Sequence, residues 1–161
     1  MTPNTINAAH DDLRDLYISR VIKAPPEVVW RAWAEVELFE KWWTPKPIVT
    51  KVSQMRLEAG GVFGTDIVMP NGDAHPSVGC FLQVIPNQQI IFTDALSGGF
   101  RPTKTAFMTV IIDFNPHPEG CEYAVRVMHQ SEEDKHRHKE MGFDEGWATT
   151  IAQLADLVEA L

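Results

Sequence analysis

The sequence predicts an α+β protein in which a curved antiparallel sheet of about six or seven strands wraps around a long C-terminal helix. Three observations lead to this prediction. A strand-like segment is followed by a Trp-containing helix near the N-terminus. Short apolar segments separated by turn residues fill the middle of the chain, and an amphipathic helix ends it. One face of the sheet is the largest apolar surface on which that helix can pack.

The composition indicates one folded domain and a cytoplasmic location. The 161 residues suffice for a single core, and 44% hydrophobic and 22% charged residues are ordinary values for a soluble protein. No apolar run reaches the ~18 residues of a membrane span, and the polar N-terminus lacks the apolar centre of a secretion signal. We expect a flexible leader at 1–12, a single domain at 13–161, and reduced thiols at Cys80 and Cys121.

The net charge argues against nucleic acid and membranes as partners. The chain has 14 Lys and Arg residues against 22 Asp and Glu residues, which gives a formal net charge of −8. An acidic surface without a basic stripe repels phosphate-bearing partners. We therefore expect a small hydrophobic molecule as the partner and leave a homodimer open.

The N-terminal part of the domain combines a strand with a helix. The stretch 16–23 is rich in β-branched and aromatic residues, which is typical of a strand. Proline is favoured in the first turn of a helix, so a helix is predicted to begin near Pro26 and to carry Trp33. A second short turn carries Trp42 and Trp43.

The middle of the chain, residues 48–130, is predicted to form the rest of the sheet. Apolar segments of roughly five to ten residues alternate there with turn signals. Asn71 and Gly72 form a strong hairpin signal. Connections this short join antiparallel neighbours, so the segments predict a meander of strands. The faces of the strand at 78–85 stay ambiguous, because both alternations contain apolar residues.

The last thirty or so residues are predicted to be helical. Ser131, followed by three acidic residues, is a good helix N-cap. Gly142 or Gly146 is expected to interrupt the helix. Beyond the glycines, apolar residues at steps of three and four predict one stripe that packs on the sheet. The stripe consists of Trp147, Ile151, Leu154, Val158 and Leu161.

Four segments in this order resemble the START-like (SRPBCC) superfamily, in the branch similar to the C-terminal domain of the activator of the heat-shock protein ATPase. They are residues 21–43, 55–73, 79–96 and 138–161. The resemblance implies a helix-grip fold with a cavity between sheet and long helix. Cochaperones of this kind carry a further N-terminal domain; because we expect a single domain here, we regard a chaperone partner as doubtful.

Aromatic residues are expected to line that cavity, because a curved sheet touches a straight helix along one line and leaves room beside it. Gly64, Gly79 and Ala106 would leave this space unfilled, at the volume of about 300–1,000 Å³ that is usual for ligand pockets. The predicted ligand-binding residues are Trp42, Trp43, Phe63, Phe81, Phe92, Phe107, His129 and Trp147.

His129 is the predicted polar residue of the cavity. Strand alternation places it on the same face as Tyr123 and Val127. Glu122 and Arg126 lie on the opposite face, which is the better one for contact with water. Two roles stay open for His129: a hydrogen bond to nearby backbone, or a polar anchor for a ligand.

Signals for other chemistry are weak. The chain contains none of the short motifs that mark nucleophilic, zinc, phosphate or dinucleotide sites. His136 and His138 are two residues apart on a predicted helix and point in different directions, among charged residues typical of a solvated face. We expect no catalytic residue, no metal site and no cofactor.

Three functions are compatible with these residues. The favoured one is binding of a small hydrophobic or aromatic ligand, with no defined chemistry. The second is a cyclase-like or hydrolase-like enzyme, which needs an acid or base in the cavity; His129 and Asp94 are the candidates. The third is a protein-interaction domain of the cochaperone type, which would expose an apolar patch or a charged docking face.

Overall fold

A seven-stranded antiparallel sheet and a C-terminal helix dominate the computed structural model, which describes residues 5–161. The elements are β1 (Asp15–Ile22), α1 (Pro26–Ala34), α2 (Val36–Phe39), β2 (Val49–Met55), β3 (Val62–Val68), β4 (Ala74–Ile85), β5 (Gln89–Thr93), β6 (Leu96–Ser97), β7 (Arg101–Pro102), β8 (Met108–His117), β9 (Gly120–His129), α3 (Glu132–Glu140) and α4 (Phe143–Glu159). The predicted fold class is confirmed.

The sheet is an open, curved meander. Its strand order is β1-β9-β8-β5-β4-β3-β2. The first strand therefore pairs with the last one, and β1 and β2 form the two edges of the open sheet. All strand pairs are antiparallel, as the short connections predict. The hairpin of β6 and β7 forms a separate two-stranded sheet that the sequence pattern did not predict.

Local chemistry sets the helix ends at three predicted places. Pro26 occupies the first position of α1. The Ser131 hydroxyl accepts a 3.1 Å hydrogen bond from the backbone N–H of Asp134 and caps α3. Gly142 has φ +94°, a left-handed conformation that favours glycine, and separates α3 from α4. Gly146, the other candidate, lies inside α4.

The apolar stripe of α4 packs against the sheet, with one exception at each end. Ile151, Leu154 and Val158 are buried in the same core cluster as the inward residues of β8 and β9. Trp147 is only partly buried, and Leu161 is 54% exposed after the helix has ended. The central part of the stripe therefore packs in the core, whereas Trp147 keeps part of its surface exposed.

The residues next to the first strand contact the outer face of the sheet. The Gln89 side chain accepts from the backbone N–H of Ile6 at 2.9 Å and donates to the Ile6 carbonyl at 2.8 Å. A guanidinium nitrogen of Arg126 donates to the carbonyl of Ala8. Residues 1–4 of the predicted leader lie outside the described residues.

Both cysteines are buried and free of disulfide bonds. Burial raises the pKa of Cys121 to about 11, with smaller contributions from Glu122 and Glu27. A thiol with so high a pKa is a poor nucleophile at neutral pH. Among the helices of residues 5–161, none has the length and apolar character that crossing a membrane requires.

Candidate ligand-binding site

An aromatic cluster around Trp33 fills much of the space between sheet and helices. Trp33 is fully buried, and its indole N–H donates to the Tyr123 hydroxyl at 3.1 Å. Burial raises the pKa of Tyr123 far above its ordinary value, so the hydroxyl stays protonated. Rings with centroids 5.1–6.0 Å from that of Trp33 are Phe39, Trp42, Trp43, Phe63 and Phe92.

Two of the predicted ligand-binding residues, Trp42 and Phe81, take part in this packing without lining either of the clefts described below. Trp42 is buried and donates its indole N–H to the Ala32 carbonyl at 3.0 Å. Phe81 is buried and stacks on Phe63 at a centroid distance of 4.9 Å. Neither ring lines the two clefts described next, so their position is that of core residues.

The first cleft, here called the helix cleft, lies where α4 begins and has a volume of about 270 Å³. Its walls are Trp43, Pro45, His138, Met141, Gly142, Phe143, Gly146, Trp147 and Thr150. The predicted residues Trp43 and Trp147 are 6.0 Å apart, centroid to centroid. Met141 stands at this cleft with 70% of its surface exposed, which leaves an apolar side chain in water.

The second cleft, here called the sheet cleft, lies on the concave face of the sheet and has a volume of about 180 Å³. Its walls include the predicted residues Trp43, Phe63 and Phe92, together with Asp94 and Met108. Trp43 lines both clefts. Each cleft is smaller than the predicted 300 Å³, because the rings around Trp33 occupy the room that the curvature of the sheet creates.

Gly79 lines the sheet cleft, whereas Gly64 lines neither cleft, and neither glycine has room beside it for a side chain. A Cβ at Gly79 would approach the Thr93 carbonyl oxygen to 2.7 Å, and a Cβ at Gly64 would approach the Ser53 hydroxyl to 2.7 Å. These glycines permit close approach of neighbouring strands. A Cβ at Gly146 would meet nothing within 4 Å. A glycine in the middle of an amphipathic helix lowers the stability of that helix. Its presence at position 146 was the sequence signal that could have indicated open space there.

His129 faces inward at the end of β9, as predicted, and both of its ring nitrogens are hydrogen-bonded. Nδ1 lies 2.8 Å from the Arg14 carbonyl oxygen, and Nε2 lies 2.8 Å from Nδ1 of His138. The side chain is buried, with 6% of its surface exposed. The backbone role that the sequence left open is therefore the one observed, and His129 has no free nitrogen for a ligand.

His138 is the functional candidate that sequence reasoning missed. The expected solvated face holds for His136, which is exposed and lies 3.5 Å from Glu132. It is wrong for His138, which is half-buried, with ring centroids 5.1 Å from those of Phe107 and Phe143. Spacing along the helix separates the two histidines, but only the packing of α3 against β9 shows which one faces the protein.

Phe107 lies beside the histidine pair and lines neither the helix cleft nor the sheet cleft. Its ring is 5.5 Å from that of His129, and the Arg137 guanidinium lies 5.5 Å from its centroid. Together with His129 it lines a hollow of about 320 Å³ at the end of the sheet. Met128 and Thr109 complete that hollow from the outer face, so it does not lie between sheet and long helix.

The second acid–base candidate, Asp94, is also engaged. Its carboxylate oxygen Oδ1 accepts hydrogen bonds from the backbone N–H groups of Phe107 at 2.8 Å and Met108 at 3.0 Å. These bonds fix the entry into β8. Among residues 5–161, no group of three His, Cys, Asp or Glu side chains is close enough to hold a metal ion.

Acidification should destabilise the fold through His138. Burial, and to a lesser degree the neighbouring His129, lowers the pKa of His138 to about 4, whereas a histidine in an unfolded chain has a pKa of about 6.5. Between those values the unfolded state binds more protons, so the free energy of unfolding falls as the pH falls. Because solvent screens a half-buried ring, we expect a loss of about 1–2 kcal/mol.

Urea unfolding of the wild type and of His138→Gln across this pH range measures the contribution. The glutamine amide can still donate to Nε2 of His129 but does not titrate, so the variant should show a weaker pH dependence. His136→Gln is the matched control, because His136 is exposed on the same helix. Identical pH dependence of His138→Gln and wild type would contradict the prediction.

A curved open sheet that holds one long helix, with apolar clefts beside it, is the arrangement of START-like proteins. The chain belongs to the family described as activator of Hsp90 ATPase homolog 1-like protein, whose model matches residues 23–159. This confirms the resemblance drawn from the four sequence segments. Comparison with curated proteins gave no match.

Solved structures agree with this assignment. A protein from Nitrosomonas europaea is 38% identical, with coverage of 94% of this chain and 97% of its own and a TM-score of 0.90. A protein from Mycobacterium smegmatis is 24% identical over 96% of this chain and 98% of its own, with a TM-score of 0.79. A Silicibacter pomeroyi protein named AHSA1 is 20% identical over 91% and 98%, with a TM-score of 0.66. The last two similarities show the fold alone.

Proposed function

We propose that the protein is a cytoplasmic binding module that takes up a small hydrophobic or aromatic molecule in the helix cleft and performs no chemistry on it. The observation that carries this proposal is the cleft itself. Trp43, Phe143 and Trp147 present aromatic walls, and the open space beside Gly146 gives room between them. Burial of apolar ligand surface against such walls drives binding without any charged contact.

Catalysis is less well supported. An enzyme of the cyclase or hydrolase type needs a free acid or base that reaches its substrate. The sheet cleft has Asp94 in its wall, but that carboxylate accepts two backbone hydrogen bonds. Both ring nitrogens of His129 are hydrogen-bonded, one to the Arg14 carbonyl and the other to His138. Internal hydrogen bonds of this kind are typical of structural residues.

Filling the helix cleft should weaken binding of a neutral hydrophobic fluorescent probe such as N-phenyl-1-naphthylamine. Gly146→Phe places a ring in the space where a Cβ meets nothing, so the fold should tolerate it. We expect the probe's affinity to fall by about tenfold or more, a loss of about 1.4 kcal/mol or more of binding free energy, because the added ring occupies the space that the probe would fill. Fluorescence titration of the folded protein measures the change.

Ala148→Phe is the matched control, because it adds the same ring to the exposed side of the same helix. It should bind the probe like the wild type. Gly146→Ala leaves most of the space open and should bind nearly as well. If Gly146→Phe binds the probe with unchanged affinity, the helix cleft is not the binding site.

A further inference from the structure

The hydrogen bonds of the histidine pair fix which nitrogen carries each proton. A carbonyl oxygen only accepts, so Nδ1 of His129 must donate its proton to the Arg14 carbonyl 2.8 Å away. In the neutral ring, Nε2 of His129 is then the acceptor. The nitrogen that lies 2.8 Å from it is Nδ1 of His138, which must be the donor.

This assignment determines the state of Nε2 of His138, the nitrogen that does not face His129. A neutral imidazole whose Nδ1 carries the proton has a lone pair at Nε2. No hydrogen bond joins Nε2 of His138 to any of residues 5–161, and the one buried, unpartnered side-chain polar atom among them is Nε of Arg126. Nε2 of His138 is therefore an acceptor that solvent can reach, and the residue that carries it forms part of the wall of the helix cleft.

We propose that the helix cleft selects a neutral one- or two-ring aromatic compound with a hydroxyl group, whose O–H donates to Nε2 of His138. The inference rests on the proposed function and names its ligand class. The size follows from the volume: a cavity of about 150 Å³ holds benzene, and the helix cleft has about 270 Å³. Trp43, Phe143 and Trp147 supply the aromatic walls against which an aromatic ligand would pack.

The same acceptor disfavours anions. A carboxylate would bring its own lone pairs against that of Nε2, unless His138 took up a proton. Burial and the neighbouring His129 both lower the pKa of His138 and oppose this protonation. Thr150, another polar wall residue, donates its hydroxyl proton to the Trp147 carbonyl at 3.0 Å and therefore also offers an acceptor. The polar atoms of His138 and Thr150 thus match a ligand that donates.

Three naphthalene compounds test the proposal, because they share a ring system and differ in one group. The probes are 2-naphthol, naphthalene and 2-naphthoate, titrated at pH 8, well above the ordinary imidazole pKa of about 6.5. We expect 2-naphthol to bind about 3- to 10-fold more tightly than naphthalene, the usual effect of one hydrogen bond. We expect 2-naphthoate to bind more weakly than naphthalene.

Variants locate the effect. His138→Phe keeps a ring between Phe107 and Phe143 but removes the acceptor. The affinity of this variant for 2-naphthol should therefore be no higher than its affinity for naphthalene. His136→Phe is the matched control and should retain the preference, because His136 is exposed on the same helix. Independently of any variant, the nitrogen-15 spectrum of the wild type at pH 8 should show His138 protonated at Nδ1.

The outcomes separate this inference from the proposed function. Equal affinities for 2-naphthol and naphthalene, both lost in Gly146→Phe, would overturn the hydroxyl preference and leave the binding cleft intact. Binding of neither compound, or binding that Gly146→Phe does not change, would overturn both. A proton at Nε2 instead of Nδ1 of His138 would overturn the inference even if His138→Phe does not fold.

Discussion

Replacement of Leu154 by alanine should lower the free energy of unfolding by about 2–5 kcal/mol. Leu154 has no exposed surface, and it lies in the middle of the α4 stripe with Ile151 and Val158 on either side. Removing its branched end leaves a cavity between helix and sheet that neighbouring side chains fill only in part. The loss therefore combines the lost burial of the methyl groups with the cost of that cavity.

Leu161→Ala is the matched control, because the same change is made on the same stripe at a residue that is 54% exposed. Its effect should stay within about 0.5 kcal/mol, the level of neutral surface changes. Urea unfolding followed by tryptophan fluorescence and by circular dichroism measures both variants. Similar small losses for the two variants would show that α4 does not pack as described.

Trp33→Ala should cost about 3–5 kcal/mol, the range for loss of a large aromatic side chain from a core. The indole of Trp33 is fully buried and packs against rings from α2, β3 and β5 at once. Its loss also leaves the Tyr123 hydroxyl without its donor in a dry environment. Trp33 therefore joins the N-terminal helix to the sheet through both packing and a hydrogen bond.

Trp30→Ala separates these effects from the mere loss of a tryptophan. Trp30 lies on the same helix and is partly buried against Phe114, with a centroid distance of 5.3 Å. Its replacement should cost clearly less than that of Trp33 in the same urea titration. Equal costs for the two substitutions would mean that Trp33 is not the centre of the aromatic cluster.

Features that depend on local chemistry were predictable from the sequence. Pro26 begins α1, Ser131 caps α3, and the step pattern of Ile151 and Leu154 gives the buried face of α4. In each case the decisive interaction involves residues within one or two helical turns. The antiparallel pairing of strands was also predictable, because a short connection can join two consecutive strands only when they run in opposite directions.

The strand at 78–85 shows where alternation stops being informative. The pairing of β4 with β5 shifts register between Phe81 and Gln83, so the two sides of the shift present different faces. Cys80 and Phe81 are consecutive and both fully buried. A bulge that permits this arrangement depends on the partner strand, and the period-two pattern of a single strand does not contain that information.

The site was predictable in kind but not in its details. The sequence indicated an aromatic-walled space next to α4, and Trp43 and Trp147 do line the helix cleft. The histidine at that cleft is His138, whereas His129 lies outside its wall and is fully occupied by internal hydrogen bonds. Gly146 was recognised only as a helix breaker. Both differences arise from how α3 and α4 meet, which involves long-range packing.

Trp43 separates the two clefts. It lines both the helix cleft and the sheet cleft, and it is only partly buried, unlike Trp33 and Trp42. Its ring packs against those of Trp33, Phe63 and Trp147. Because one side chain bounds both spaces, a substitution at this position would change the shape of two clefts at once, although it lies outside the sheet.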